Sequence, residues 1–146
     1  MSGMYEGGCL CGGVRYGFNA APKITADCYC VDCRKSSGTS HCTHAAVPLD
    51  DFVVEGTLKF YDRPADSGNV VSRGFCPECG SPVYSTNDGL PGLVFVRVSS
   101  LDNPTTVAPM ITVYASRAPG WARLDPDNPS FPEMPDGGAQ QALSEN

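Results

Sequence analysis

The stretch Cys76-Pro-Glu-Cys-Gly80 is the part of this sequence that decides the fold. Its proline favours a tight turn, and Gly80 can adopt the left-handed backbone conformation that brings amide N–H groups toward sulfur. A C-x-x-C turn of this kind presents two thiolates to one metal ion, at about 2.3 Å from each if the ion is zinc. A tetrahedral zinc ion then needs two further ligands from elsewhere in the chain.

A second pair of cysteines supplies such ligands in the segment Cys9-Leu-Cys11, which is also followed by glycines. Together the two pairs would form a closed tetrahedral site that joins the N-terminal part of the chain to its middle. Because the unfolded chain has no such site, the binding free energy would act as folding free energy. The spacing therefore predicts a structural zinc. Its ligands would be Cys9, Cys11, Cys76 and Cys79.

Three more cysteines lie within six residues, in the segment Cys28-Tyr-Cys-Val-Asp-Cys33. Three thiolates occupy three corners of a tetrahedron and leave the fourth for water or a substrate, as in catalytic zinc sites. The alternative is a site closed by a fourth protein ligand, for which the neighbouring candidates are Cys42, His41 and His44. Strand alternation would direct His41 away from the face that Cys42 and His44 share, so these three cannot all be ligands.

The pattern of all eight cysteines favours metal over disulfides. Disulfides usually join distant segments and are rare in the reducing cytosol, whereas seven of these cysteines fall in three short clusters. Zinc suits soft thiolate ligands. An iron–sulfur cluster would usually take four cysteines, which three clusters with seven cysteines fit poorly. Two zinc ions per chain are therefore expected.

Two basic residues, Arg34 and Lys35, directly follow the three-cysteine segment. Three thiolates on a divalent ion leave one net negative charge, and a bound substrate thiolate would add another. Adjacent cations would offset this charge and could attract a substrate carboxylate, so both residues are candidate substrate contacts. The alternative is a solvated surface pair that contributes little.

The composition indicates one all-β domain of short strands. The chain has 146 residues, 41% of them hydrophobic and 18% charged, with 16 glycines and 13 prolines, which is typical of a turn-rich and strand-rich protein. Residues 1–136 are predicted as the domain and 137–146 as a disordered tail. Trp121 and Phe131 are predicted to pack on the core.

Local patterns predict the elements around the cysteines. Alternating runs at 52–55 and 58–61, separated by Gly56-Thr57, predict a hairpin. Residues 34–39 are polar, include Gly38, and leave room for one helical turn at most. No segment has the 3.6-residue periodicity of a long helix.

Charge and hydropathy exclude two classes of partner. The net charge of −6 argues against a nucleic-acid-binding surface, which needs a basic excess. No apolar run approaches the roughly 20 residues that span a bilayer, and the N-terminal residues lack the pattern of a secretory signal. The expected location is the cytoplasm, and the expected partner is a small molecule.

Three motifs in this order resemble the glutathione-dependent formaldehyde-activating enzyme family (CENP-V/GFA). They are Gly8-Cys-Leu-Cys-Gly-Gly-Val-Arg-Tyr16, Cys28-Tyr-Cys-Val-Asp-Cys-Arg-Lys-Ser-Ser-Gly38 and Phe75-Cys-Pro-Glu-Cys-Gly-Ser-Pro82. Further similar segments are Ser100-Leu-Asp-Asn-Pro104, Ala118-Pro-Gly-Trp-Ala-Arg-Leu-Asp125 and Pro129-Ser-Phe-Pro-Glu-Met-Pro135. The resemblance extends over about residues 7–135.

The resemblance implies a zinc-binding β-tent, a fold of short antiparallel sheets joined by cysteine knuckles. It implies a structural zinc held by the first and third motifs, in agreement with the spacing. It implies a catalytic zinc held by Cys28, Cys30 and Cys33. The implied activity is that of a carbon–sulfur lyase that condenses glutathione with formaldehyde to S-hydroxymethylglutathione.

Two other functions remain open at this point. A non-catalytic zinc module that binds a protein partner would have its middle site closed by a fourth protein ligand, or open onto nothing. A thiol or metal sensor would have labile zinc and would pair the middle cysteines on oxidation. The sequence predicts neither the physiological substrate nor the oligomeric state.

Overall fold

Ten strands form two sheets in the computed structural model, which describes residues 3–135. The predicted tail, residues 137–146, lies outside the described residues. The smaller sheet has three antiparallel strands in the order β1-β2-β5. These are β1 (Tyr5–Gly8), β2 (Arg15–Phe18) and β5 (Val53–Glu55).

The larger sheet has seven strands in the order β10-β3-β4-β9-β8-β7-β6. Its members are β3 (Thr25–Cys28), β4 (Cys42–Pro48), β6 (Lys59–Pro64), β7 (Val70–Phe75), β8 (Pro82–Asn87), β9 (Leu93–Arg97) and β10 (Ile111–Val113). All neighbours are antiparallel except β10 and β3, which are parallel. Short 3-10 helices lie at Leu49–Asp51, Val98–Ser100, Pro104–Thr106 and Ala115–Arg117. The predicted all-β class is confirmed. The pairing of β10 with β3 is parallel, whereas antiparallel sheets were expected.

The main core lies between the two sheets. Tyr16 and Phe18 of β2 are fully buried and pack against valines of β4 and β9, including Val47 and Val96. The Tyr16 hydroxyl lies 2.6 Å from Ser100 Oγ, so the polar atom of this buried ring has a hydrogen-bond partner. One face of the seven-stranded sheet is therefore covered by the core. The residues on the opposite face remain available to form a functional site.

The single α-helix of the described chain, α1 (Val31–Ser37), is longer than predicted. Cys30 caps its start, because the Sγ atom accepts a hydrogen bond from the Cys33 backbone N–H at 3.3 Å. Gly38, with φ of 83°, ends it in the left-handed conformation. At most one helical turn was expected, within residues 34–39. The helix begins earlier, at Val31, and this start was missed because cysteine is not among the usual capping residues. No helix in residues 3–135 is long and apolar enough to cross a bilayer.

The predicted hairpin of 52–55 and 58–61 is also wrong. β5 pairs with β2 in the small sheet, and β6 pairs with β7 in the large one. Gly56 has φ of 101°, and a Cβ atom there would lie 2.1 Å from the Gly13 carbonyl oxygen. The backbone at Gly56 thus packs against the first cysteine knuckle, residues 9–13. It crosses from one sheet to the other instead of turning back.

The C-terminal part of the described chain runs beside β10. Backbone N–H groups of Thr112 and Phe131 donate to the carbonyls of Pro129 and Thr112, both at 2.9 Å, which covers the edge of the large sheet. Phe131 packs against Cys28, Cys33 and Val113, as predicted for an aromatic on the core. Trp121 does not pack there, since 66% of its surface is exposed.

Candidate metal centres and their cavity

Four thiols from the two knuckles converge on one point, and we call them the four-thiol cluster. Their sulfur atoms all lie within 4.8 Å of one another. Cys11 Sγ lies 3.6 Å from Cys9 Sγ and 3.7 Å from Cys76 Sγ. Sulfurs bound tetrahedrally to zinc at about 2.3 Å would be separated by about 3.8 Å, whereas a disulfide needs about 2.05 Å. The cluster fits a metal ion. Its members are Cys9, Cys11, Cys76 and Cys79.

The two knuckles have the same construction. Gly12 N–H donates to the Cys9 carbonyl at 3.2 Å, and Gly80 N–H donates to the Cys76 carbonyl at 2.8 Å. Both glycines have a positive φ, 81° and 77°, which a side chain would strain. Hydrogen bonds with Ser81 lower the pKa of the Cys79 thiol to about 5. The Gly13 backbone N–H lowers the pKa of Cys11, but hydrogen bonds with the other three thiols outweigh it and raise this pKa to about 12. The local structure therefore directs four thiols to a shared centre.

The second group, the three-thiol cluster, comes from one continuous segment. Cys28 ends β3, Cys30 caps α1, and Cys33 lies in its first turn, with all three sulfurs within 4.8 Å. Hydrogen bonds with Cys28 and Cys30 hold the pKa of Cys33 well below its usual value. Hydrogen bonding to Cys30 and Cys33, together with burial, raises the pKa of Cys28. The three thiols are therefore close enough to hydrogen-bond with one another and could act as one ligand set.

The three candidates for a fourth ligand occupy different places. His41 stacks on Tyr29 on the opposite face, where its Nδ1 lies 2.9 Å from Ser40 Oγ. Cys42 and His44 lie on the face of Cys33, as strand alternation predicts. His44 Nε2 is 3.3 Å from Cys33 Sγ, and Cys42 Sγ donates to the Cys33 carbonyl at 2.9 Å.

Neither of these two neighbours completes a tetrahedron with the three-thiol cluster. Cys33, Cys42 and His44 form a second group within 4.8 Å that shares Cys33, and no other described histidine, cysteine or carboxylate lies that close to all three thiols at once. In a tetrahedral site every pair of ligand atoms would be within about 4 Å. The three-thiol cluster thus has no histidine, cysteine or carboxylate at a fourth position in this arrangement of the described chain.

A cavity of about 1090 Å³ opens beside the three-thiol cluster, and all three thiols line it. Its volume is at the upper end of the roughly 300–1000 Å³ of small-molecule sites. The free face of the seven-stranded sheet forms its floor, which is apolar near β3 and β10. The apolar floor residues are Ile24, Ala26, Ala46, Phe95, Ile111 and Val113. The cavity could therefore hold a ligand larger than formaldehyde.

The basic residues of this cavity are not the two that the sequence suggested. Arg34 and Lys35 lie on α1, half-buried and exposed respectively, and neither lines the cavity. Arg63, Arg73 and Arg117 line it instead. All three are remote in sequence from the segment Cys28–Cys33, and only an assignment of strand faces would have identified them.

Two of the cavity arginines form ion pairs across the opening of the sheet. Arg63 on the β6 edge contacts Asp32 of α1 at 3.2 Å. Arg117, which follows β10 on the other edge, contacts Asp66 at 2.9 Å and Glu133 at 3.1 Å. The edges of this open sheet are thus brought together by side chains rather than by strand pairing.

Comparison with known proteins places the chain in a family. The model of the family described as glutathione-dependent formaldehyde-activating enzyme matches residues 4–117. No curated protein matches the chain significantly. A crystal structure of a Rhodobacter sphaeroides protein is similar, with a TM-score of 0.53 and 17% identity, over 86% of this chain and 98% of that one. At this identity the similarity supports the fold alone.

Proposed function

The chain belongs to the glutathione-dependent formaldehyde-activating enzyme family, and on that premise we propose that it is a zinc-dependent enzyme of the carbon–sulfur lyase type. The proposed reaction condenses glutathione with formaldehyde to S-hydroxymethylglutathione. The observation that carries the proposal is the three-thiol cluster, which faces a large cavity and has no histidine, cysteine or carboxylate within 4.8 Å of all three thiols among the described residues.

The residues of both clusters suit zinc. The four-thiol cluster would hold a structural ion, and Cys28, Cys30 and Cys33 would hold a second one. Thiolates are soft ligands that zinc accepts without redox chemistry. When bound at the three-thiol cluster, zinc would lower the pKa of a thiol at its free position.

The reaction balances without an oxidant or a reductant. The sulfur of glutathione forms a bond with the carbonyl carbon of formaldehyde, and the π bond of the carbonyl breaks. The oxygen then takes up one proton, which equals the proton that the thiol lost. The protein's part is to hold the two reactants close together in one cavity.

Metal analysis, calorimetry and product detection test this function together. We expect two zinc ions per chain in the native protein and one in Cys30→Ser. Glutathione should bind to the zinc-loaded protein in isothermal titration, and the S-hydroxymethyl adduct should form faster than without protein. The substrate assignment fails if glutathione does not bind and formaldehyde is not consumed.

One observation favours a second candidate, a non-catalytic zinc module. His44 Nε2 lies 3.3 Å from Cys33 Sγ, so a small movement of the ring would make it a metal ligand and close the site. X-ray absorption at the zinc edge distinguishes the two states. Replacing His44 by glutamine would leave the average sulfur and nitrogen coordination unchanged for the open site, and would remove a nitrogen for the closed one.

A further inference from the structure

The charged groups of the cavity are not evenly paired. Three arginines and three carboxylates line it. Arg63 forms an ion pair with Asp32, and Arg117 forms ion pairs with both Asp66 and Glu133. The third arginine, Arg73, is left without a carboxylate partner in residues 3–135.

Arg73 lies on β7, and its position on the strand directs it into the cavity. Its Cα lies opposite Ser85 of β8, and Ser85 lies opposite Phe95 of β9. All three line the cavity, so they belong to one face of the sheet. The arginine is half-buried, and its Nε is buried without a hydrogen-bond acceptor among the described residues.

The Nε donor of Arg73 is desolvated without an acceptor, which is costly, and an anion would satisfy it. The chain carries 16 acidic residues against 10 basic ones, yet no described carboxylate occupies this position. A carboxylate that arrives with a ligand would complete the site, and arginine can bind it through two parallel hydrogen bonds.

Along the order of the strands, the floor of the cavity changes from polar to apolar residues before it reaches the strand that carries Cys28. Arg73, Ser85 and Asn87 line the part under β7 and β8. Phe95 and Ala46 follow on β9 and β4, and β3, which carries Cys28, comes next. A ligand with a thiol at one end and a carboxylate at the other would match this order.

We propose that Arg73 binds a carboxylate of the thiol substrate and thereby selects acidic thiols over neutral ones. In glutathione this would be the glycyl carboxylate, because the other carboxylate carries an ammonium group beside it that offsets its charge. The assignment rests on the proposed function for the position of the thiol. It gives Arg73 the role that the sequence suggested for Arg34 and Lys35.

Titration of the zinc-loaded protein with three ligands tests the proposal. They are glutathione, its glycyl ethyl ester, and S-methylglutathione, which keeps both carboxylates but has no free thiol. We expect the native protein to prefer glutathione to the ester by about tenfold or more, which is the range of hydrogen bonds to charged groups. Arg73→Gln should abolish this preference by weakening glutathione alone, and Arg73→Lys should retain part of it. Arg34→Gln is the matched control and should keep the native preference.

The outcomes separate this proposal from the proposed function. Equal affinity of the native protein for glutathione and the ester, or a loss of preference in Arg34→Gln but not in Arg73→Gln, would overturn the role of Arg73 even if the adduct forms. Arg73-dependent binding of S-methylglutathione, with no adduct formed from glutathione and formaldehyde, would uphold the role of Arg73 and overturn the reaction. If none of the three ligands binds, both fail. Thermal melting of each variant establishes that it is folded.

Discussion

The two cysteine clusters present the same donor atom, a thiol sulfur, in two different settings. The four-thiol cluster draws on two knuckles 65 residues or more apart in the sequence, which are attached to different sheets. The three-thiol cluster comes from six consecutive residues where a strand meets a helix. A metal in the first would join distant parts of the chain and so stabilise the fold. A metal in the second would add little long-range constraint, which leaves it available for chemistry.

The largest expected effect is on folding, which serine substitutions should abolish in one cluster and not in the other. Cys76→Ser or Cys79→Ser should unfold the domain, because a structural zinc contributes on the order of 10 kcal/mol and a domain has only about 5–15 kcal/mol of stability. Cys30→Ser should stay folded and lose activity. Serine is a better helix cap than cysteine, so the hydrogen bond that starts α1 is kept. Circular dichroism and zinc content measure both outcomes, and equal unfolding in the two clusters would contradict the division.

The clusters were also the most predictable part of the molecule. Short spacings such as Cys76-Pro-Glu-Cys-Gly80 act locally, so the sequence determines the turn and its ligands with little help from the rest of the fold. The grouping of thiols within 4.8 Å agrees with the sets chosen from spacing.

Elements that depend on distant partners were not predictable in this way. β5 and β6 have good strand composition, but their pairing is decided by the contact of Gly56 with the first knuckle. Arg73 lies 40 residues beyond the three-thiol cluster along the chain, and only the curvature of the sheet gives them a common cavity. Sequence position suggested Arg34 instead, whose side chain does not line that cavity.

A chelator should remove zinc from the two clusters at different times. The three-thiol cluster offers three ligands and faces the cavity, whereas the four-thiol cluster offers four and would be closed, with Cys9 and Cys76 buried and Cys11 exposed. A mild chelator should therefore remove one zinc first and abolish activity while the fold persists, and the second zinc should leave only as the protein unfolds. Zinc release and circular dichroism, followed in one sample, measure the order. Simultaneous loss of metal and structure would mean that both ions are structural.

A smaller effect is expected at Cys42, the cysteine outside both clusters. Its Sγ donates to the Cys33 carbonyl, and that local hydrogen bond can be made equally well by a hydroxyl. Cys42→Ser should thus keep two zinc ions and most of the activity, with a loss of about 1 kcal/mol from a buried polar exchange. Equilibrium unfolding in urea and metal analysis check this. Loss of one zinc in this variant would instead identify Cys42 as a ligand. The three-thiol cluster would then be a closed site, like the four-thiol cluster.

The smallest effect concerns an ion pair beside the four-thiol cluster. Arg15 Nη1 donates to Asp102 Oδ1 at 2.8 Å, and this hydrogen bond lowers the pKa of the carboxyl. Its contribution is therefore present above the unfolded pKa and is lost as the pH falls through the folded one. Acid would also protonate the thiolates, so salt is the better variable. Both side chains are well exposed, so Asp102→Asn should cost at most about 1 kcal/mol in urea unfolding, and less at 1 M salt. Asp62→Asn, at an exposed position on β6, is the matched control. A larger cost would mean that the pair supports the metal site and that the cluster depends on more than its own knuckles.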